Sequence, residues 1–203
     1  MFVTVEGIEG CGKSTLISHL SQRLRSRGSA VLTTREPGGT PAGDAIRSLF
    51  LERALDLLPL SEAFLINAAR AQHVVEAIEP ALKSGQIVLC DRFVDSTLAY
   101  QGFGRGIDLD LLETICRTAT DGLMPDITFL LDIPVAISRE RVAARRLLPD
   151  RLESEDDEFH TRVRHGFLKL ASSAPRYRVL DATKPPEDLA AQAFATVLQN
   201  VPR

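Results

Sequence analysis

Gly7-Ile8-Glu9-Gly10-Cys11-Gly12-Lys13-Ser14 fills every fixed position of the pattern G-x-x-x-x-G-K-[ST], directly after the strand-like run Phe2-Val3-Thr4-Val5-Glu6. The chemistry of such a segment is polyphosphate binding. Glycines let the backbone bend until successive N–H groups point inward at phosphate oxygens, and a helix beginning at Lys13 adds the positive end of its dipole. Lys13 can then reach the β- and γ-phosphates, while Ser14 offers a hydroxyl to Mg²⁺. A Gly-rich turn before an ordinary helix is the plain alternative, and the flanking strand and helix argue against it. Cys11 stands at a free position, with no base in the pattern to make it a nucleophile.

Two further clusters fit the same chemistry. Ile87-Val88-Leu89-Cys90-Asp91 is an apolar run that delivers a carboxylate, the arrangement that sets an Asp beside the metal in phosphate-loop proteins, although many core strands also end in Asp. Arg92 follows directly and could grip a second phosphate bidentately or make a structural ion pair. Arg139, Arg141, Arg145, Arg146 and Arg151 crowd one helix end and the loop beyond it. Alone, such a run reads as a solvated face. Beside a phosphate site it reads as an arginine-bearing lid at about 143–154, which neutralises a transferring phosphoryl group and excludes water.

These residues need a scaffold, and the chain alternates short β-branched runs with long helical stretches. That pattern predicts an α/β architecture, a five-stranded parallel sheet with helices on both faces. Strands are expected at 2–6, 30–34, 87–91, 127–132 and 177–181. Helices are expected at 14–27, 42–52, 61–83, 108–120, 135–146, 155–172 and 186–199. Continuous apolar runs such as Ile87-Val88-Leu89-Cys90 suit strands buried on both faces. In such sheets ligands gather at the carboxyl ends of strands, where Gly7, Asp91 and Asp132 would lie.

At 203 residues and 44% hydrophobic content the sequence describes a globular protein with one substantial core, and a single domain spanning 1–203 is expected. A net charge of −3 offers no general attraction to nucleic acid or anionic lipid, so any cationic site must be local. No apolar run approaches a membrane span, and the N-terminus lacks the basic region of a signal peptide, so a cytoplasmic location is expected. The three cysteines, without metal-like spacing, fit reduced thiols there.

In order and spacing the chain resembles the thymidylate kinase family along nearly its whole length. The motifs that carry the resemblance, besides the loop, are Thr34-Arg35-Glu36-Pro37-Gly38-Gly39-Thr40, Ala68-Ala69-Arg70, Asp91-Arg92-Phe93 with Asp95-Ser96-Thr97, and Ala99-Tyr100-Gln101-Gly102 with Gly104-Arg105-Gly106-Ile107. Pro125-Asp126, Leu131-Asp132 and the lid segment Asp150-Arg151-Leu152-Glu153 continue the match. The resemblance implies a P-loop nucleotide-kinase fold with a small lid, ATP and Mg²⁺ as donor and cofactor, dTMP as acceptor, and a homodimer.

It also implies roles. Glu9 corresponds to the acidic residue near the deoxyribose 3′-hydroxyl or the metal's water shell; otherwise it is a solvent-facing loop carboxylate. Arg35 and Arg92 look like contacts to the acceptor phosphate, with Arg47 either a helper or a helix-surface residue. Arg70 corresponds to the arginine that bonds the thymine edge, where without the resemblance it would be an exposed helix residue. Thr97 and Gln101 sit where the base is read, and Tyr100 where a ribose 2′-hydroxyl would be crowded. Arg145, Arg146 and Arg151 resemble the bacterial subtype whose catalytic cation comes from the lid. Asp181-Ala182-Thr183-Lys184-Pro185 resembles the turn near adenine. One departure stands out: Ile66 occupies the position where the family commonly stacks a Phe on thymine, which removes roughly 0.5–1.5 kcal/mol of aromatic stacking. The nearby Phe64 lies around the other side of the helix. A kinase for a hydroxyl acceptor, with Glu36, Asp91 or Glu9 as base, and a nucleotide-driven switch are the competing readings.

Overall fold

In the central strands, successive side chains point to opposite faces of the sheet, and both faces must be covered. The computed structural model describes residues 1–145 and 150–200. Strands β1 (Phe2–Glu6), β2 (Val31–Arg35), β3 (Ile87–Asp91), β4 (Ile127–Asp132) and β5 (Tyr177–Asp181) form one parallel sheet in the order β2-β3-β1-β4-β5. On one face Val3, Val5, Ile87 and Leu89 pack with Leu16, Ile17, Leu20 and Leu24 of α1 (Lys13–Ser26) and with Leu189, Ala193 and Val197 of α9 (Pro186–Asn200). On the other, Phe2, Val88 and Cys90 meet Val74, Ile78, Ala81 and Cys116. Each fully buried large aliphatic or aromatic side chain contributes roughly 1.5–3 kcal/mol relative to exposure.

The remaining helices are α2 (Pro41–Leu51), α3 (Pro59–His73), α4 (Glu79–Lys83), α5 (Val94–Thr97), α6 (Leu109–Thr120), α7 (Val135–Ala144) and α8 (Asp157–Ala171). Two π-helical stretches, Val74–Ile78 and Leu98–Gly104, join α3 to α4 and extend α5. The helix expected over 61–83 is therefore interrupted. Pro80 has no N–H to give Glu76, and the Glu79 amide reaches back five residues to the Val74 carbonyl. The helical segment 94–104 was not among the expected helices, and it contains Gly102 and Gly104. Here they admit close packing: a Cβ on Gly102 would lie 2.5 Å from Leu109.

Other boundaries moved by a residue or two for local reasons. Strand β2 extends to Arg35, which sits in register with Asp91. Helix α6 starts after Asp108, whose side chain caps the Leu111 amide at 2.9 Å, and α8 starts after Asp156, which caps Phe159 at 2.7 Å. Helix α7 ends at Ala144, and the expected continuation at Arg146 lies outside the described residues.

Candidate active site

The order of the strands brings the carboxyl ends of β1 and β3 side by side, and the loops that follow them build the site. Gly7 adopts φ 137°, and a Cβ there would meet the Leu131 carbonyl oxygen at 2.5 Å, so the loop can pass close to β4 only with glycine. Gly12, at φ 100°, opens α1. Lys13 Nζ donates to the Gly7 and Ile8 carbonyls, each at 3.0 Å, which holds the ammonium over the loop. Ile8 and Cys11 turn their side chains into the core, so only their backbone faces the loop's concave side.

Ser14 Oγ donates to Asp91 Oδ2 at 3.0 Å across that loop. Among the described residues no group of three or more His, Cys, Asp or Glu could hold a metal ion. Mg²⁺ keeps several waters and takes one or two protein oxygens together with substrate phosphate, rather than a protein cage. A hydroxyl beside one carboxylate at the loop mouth is such a donor set.

Arg92 occupies the left-handed region at φ 72°, a rare conformation for a non-glycine residue. Its amide donates to the Val5 carbonyl at 3.0 Å, which fixes the turn. The guanidinium then lies under the phosphate loop. Nη1 donates to the Gly7 carbonyl at 3.1 Å and Ser96 Oγ at 3.0 Å, and Nη2 to Glu9 Oε1 at 2.8 Å and the Tyr100 hydroxyl at 3.1 Å. Tyr100 in turn donates to Glu9 Oε1 at 2.7 Å, and His160 Nδ1 sits 3.5 Å from Glu9 Oε2. Burial pushes the Glu9 carboxyl up. Arg92, His160, Lys13 and Tyr100 outweigh that and hold it well below the usual carboxylate range. The solvent-facing alternative for Glu9 is excluded by this setting.

Glu6 underpins the same turn. Its carboxyl accepts from the Phe93 amide at 2.7 Å and the Ser96 hydroxyl at 2.6 Å, and it is fully buried. Burial and the nearby Asp95 push it up to about 8, against the pull of Ser96, Arg92 and the Phe93 amide. An acid whose pKa rises on folding contributes stability that is whole below its unfolded pKa and is lost as pH rises through the folded value. The melting temperature should therefore fall between pH ~4.5 and ~8 in the wild type. Glu6→Gln, which keeps an acceptor for Phe93, should flatten that slope, and parallel curves for the two proteins would refute the assignment.

The cleft beside the loop is lined by Glu9, Lys13, Ser14, Arg35, Asp91, Arg92, Tyr100 and Arg145, and further in by Phe50, Ile66, Arg70 and Gln101. Gln101 Nε2 donates to Glu62 Oε2 at 3.0 Å, and the buried Oε1 has no partner among the described residues. Ile66 faces the cleft and Phe64 is exposed on the far side of α3. Arg70 is 1% exposed, which corrects its reading as a surface residue. It donates to Glu36 Oε2 at 2.7 Å, Asn67 Oδ1 at 2.8 Å, Thr97 Oγ1 at 3.0 Å and the Phe93 carbonyl at 3.0 Å. Thr97 thus lies behind Arg70 and outside the cleft lining. Arg47 is likewise no simple surface residue: it lines the cleft and donates to the Pro37 carbonyl at 2.9 Å.

The arginines of the lid segment separate. Arg145 lines both this cleft and a second one on the far side of the loop, bounded by Thr15, Arg141, Ala182, Lys184 and Pro186. Arg151 lies over the Phe50 ring at 5.1 Å and pairs with the buried Glu62, away from the phosphate loop. Arg146 lies outside the described residues. Sequence reasoning missed Phe50, an unremarkable apolar position in α2. It also gave no separate role to Arg141, which donates to the Ala182 carbonyl at 3.1 Å and bridges toward Gly10.

The chain matches the thymidylate kinase family model over residues 5–193. It is 52% identical over 198 residues to the thymidylate kinase of Deinococcus radiodurans, covering 97% of this chain and 96% of that one. The Desulfovibrio desulfuricans thymidylate kinase is 49% identical over 205 residues, covering 97% and 94%. The crystal structure of thymidylate kinase from Ehrlichia chaffeensis superposes with a TM-score of 0.79 at 35% identity, over 97% of this chain and 98% of that one.

Proposed function

The chain belongs to the thymidylate kinase family, and from that premise we propose that it transfers the γ-phosphoryl group of ATP to dTMP, giving dTDP, by holding two polyanions in line within one cleft. The observation that carries this reading is the Arg92 cluster. A largely enclosed guanidinium, 17% exposed, stands next to the phosphate loop, braced by Glu9, Tyr100 and Ser96, where an acceptor phosphate would lie.

The phosphate acceptor needs no general base. A phosphate monoester is largely ionised at neutral pH, and its oxygen can attack once it is held about 3 Å from the γ-phosphorus. Two of the three carboxylates that could serve a hydroxyl acceptor are otherwise engaged. Glu36 is buried between Arg70 and His73, and Glu9 is held too acidic to take a proton readily. Loop amides and Lys13 bind the donor phosphates, Arg92 and Arg35 the acceptor phosphate, and, among the described residues, Arg145 is the lid arginine that lines the cleft and can reach the moving group. Mg²⁺ held by Ser14 and Asp91 would neutralise phosphate charge. Ile66, Phe50, Arg70 and Gln101 form the base wall, and Gln101 Oε1, without a partner among the described residues, is an acceptor suited to the N3–H of thymine. Lys184 and Pro186, with Arg141, bound the cleft proposed for adenine.

We further take 1–203 as one domain with a lid at about 143–154, of which 146–149 lie outside the described residues, working as a cytoplasmic homodimer. Among the described residues no helix is long and apolar enough to cross a membrane. Leu58, Leu60 and Phe64 leave apolar surface on and beside α3 for a second copy.

The test is an ATP-dependent acceptor screen across dTMP, dUMP, UMP, CMP, AMP and thymidine. The highest kcat/KM is expected for dTMP, with UMP below dUMP because Tyr100 crowds a 2′-hydroxyl. Phosphorylation of thymidine in preference to dTMP would overturn the reading.

A further inference from the structure

A row of four polar groups runs back from the base wall, Arg70 and Glu36 at the cleft and His73 and Thr34 behind it, and phosphoryl transfer itself does not use them. Thr34 Oγ1 is 2.6 Å from His73 Nε2, His73 Nδ1 is 3.0 Å from Glu36 Oε1, and Glu36 Oε2 accepts from Arg70 Nε at 2.7 Å. The His73, Glu36 and Arg70 side chains are 0%, 2% and 1% exposed.

Their roles follow from what each group can offer. Glu36, paired with a guanidinium, only accepts, so the His73 Nδ1–H donates to it. In the neutral ring Nε2 is then an acceptor, and the Thr34 hydroxyl donates to it. The space for the ring is specific: a Cβ on Gly39 would stand 2.5 Å from His73 Nε2 and 2.7 Å from Thr34 Oγ1. Each Glu36 oxygen therefore has one fixed partner, and the carboxylate cannot rotate without breaking a buried bond. Arg70 inherits that fixity, with Nη1 and Nη2 held by Asn67, Thr97 and the Phe93 carbonyl.

We propose that His73 is a positioning residue for acceptor recognition, acting through Glu36 to fix the Arg70 guanidinium at the wall that receives the nucleobase. This rests on the reading of Arg70 as part of the base wall. The role belongs to one nitrogen of the ring. Asparagine places its amide near the Nδ1 position and glutamine near Nε2, so His73→Asn keeps the arm to Glu36 while His73→Gln keeps only the arm to Thr34. A histidine that merely fills the core would not distinguish the two.

Steady-state kinetics with dTMP and ATP varied separately, together with melting temperatures, test this. His73→Gln should raise KM for dTMP by roughly tenfold or more, the usual consequence of losing a charge-assisted hydrogen bond, with KM for ATP within about twofold of wild type. His73→Asn should stay within about threefold for both substrates. Equal effects of the two substitutions on KM for dTMP, or an equal rise in both KM values with His73→Gln, would overturn the proposal. If His73→Gln does not fold, Glu36→Gln carries the test, with a similar rise expected and a wild-type KM for dTMP overturning it. Arg70→Lys separates the two layers. No change in KM for dTMP with Arg70→Lys removes Arg70 from the base wall, whereas a rise there with none in His73→Gln removes His73 alone.

Discussion

Arg92→Ala is expected to leave a folded protein whose turnover with ATP and dTMP is lower by roughly 10²–10⁴, equivalent to about 2.7–5.5 kcal/mol of transition-state stabilisation. The guanidinium touches both the phosphate loop, through the Gly7 carbonyl and Glu9, and the side where the acceptor would lie, through Tyr100. Its removal also strips Glu9 of the partner that does most to hold its carboxyl ionised. The fold should survive, because the turn is fixed by the Arg92 amide to Val5 and by Glu6 to the Phe93 amide, bonds that alanine retains. The left-handed φ of 72° costs about 1–2 kcal/mol for any residue with a Cβ, a cost that arginine already bears and alanine does not add to. Circular dichroism and initial-rate kinetics check both halves, and near-normal turnover would contradict the assigned role.

Lys13→Ala is expected to reduce turnover by a similar roughly 10²–10⁴. The ammonium hangs over the loop on the Gly7 and Ile8 carbonyls, so it is preorganised where the donor's β- and γ-oxygens would sit. Methionine at the same position would keep bulk and lose the charge. Its turnover should fall nearly as far as that of alanine, and retention of activity by either variant would place the donor elsewhere.

The phosphate loop was legible because its conformation is written in residue types: φ values of 137° and 100° at Gly7 and Gly12 need glycine. The sheet was legible for a related reason, since strands buried on both faces leave continuous apolar runs. The setting of Glu9 was not. Its partners Arg92, Tyr100 and His160 come from three separate elements, and nothing in local spacing joins them. Arg70 was misjudged apart from the family resemblance for the same reason. A lone arginine on a helix looks solvated until Glu36, Asn67 and Thr97 are folded against it. The π stretch at Leu98–Gly104, which carries Tyr100 and Gln101, lacks the 3.6-residue periodicity that reveals ordinary helices, and Phe50 carries no motif at all.

Separate cationic holds on the donor and acceptor phosphates within one cleft make a direct demand on binding. Calorimetric titration of ATP with Mg²⁺, and of dTMP, into Arg92→Ala and Lys13→Ala should give complementary losses. Arg92→Ala should weaken dTMP by roughly tenfold or more while ATP binds nearly as in the wild type, and Lys13→Ala the reverse. Equal weakening of both nucleotides by either substitution, or unchanged dTMP affinity in Arg92→Ala, would contradict the two-anion site.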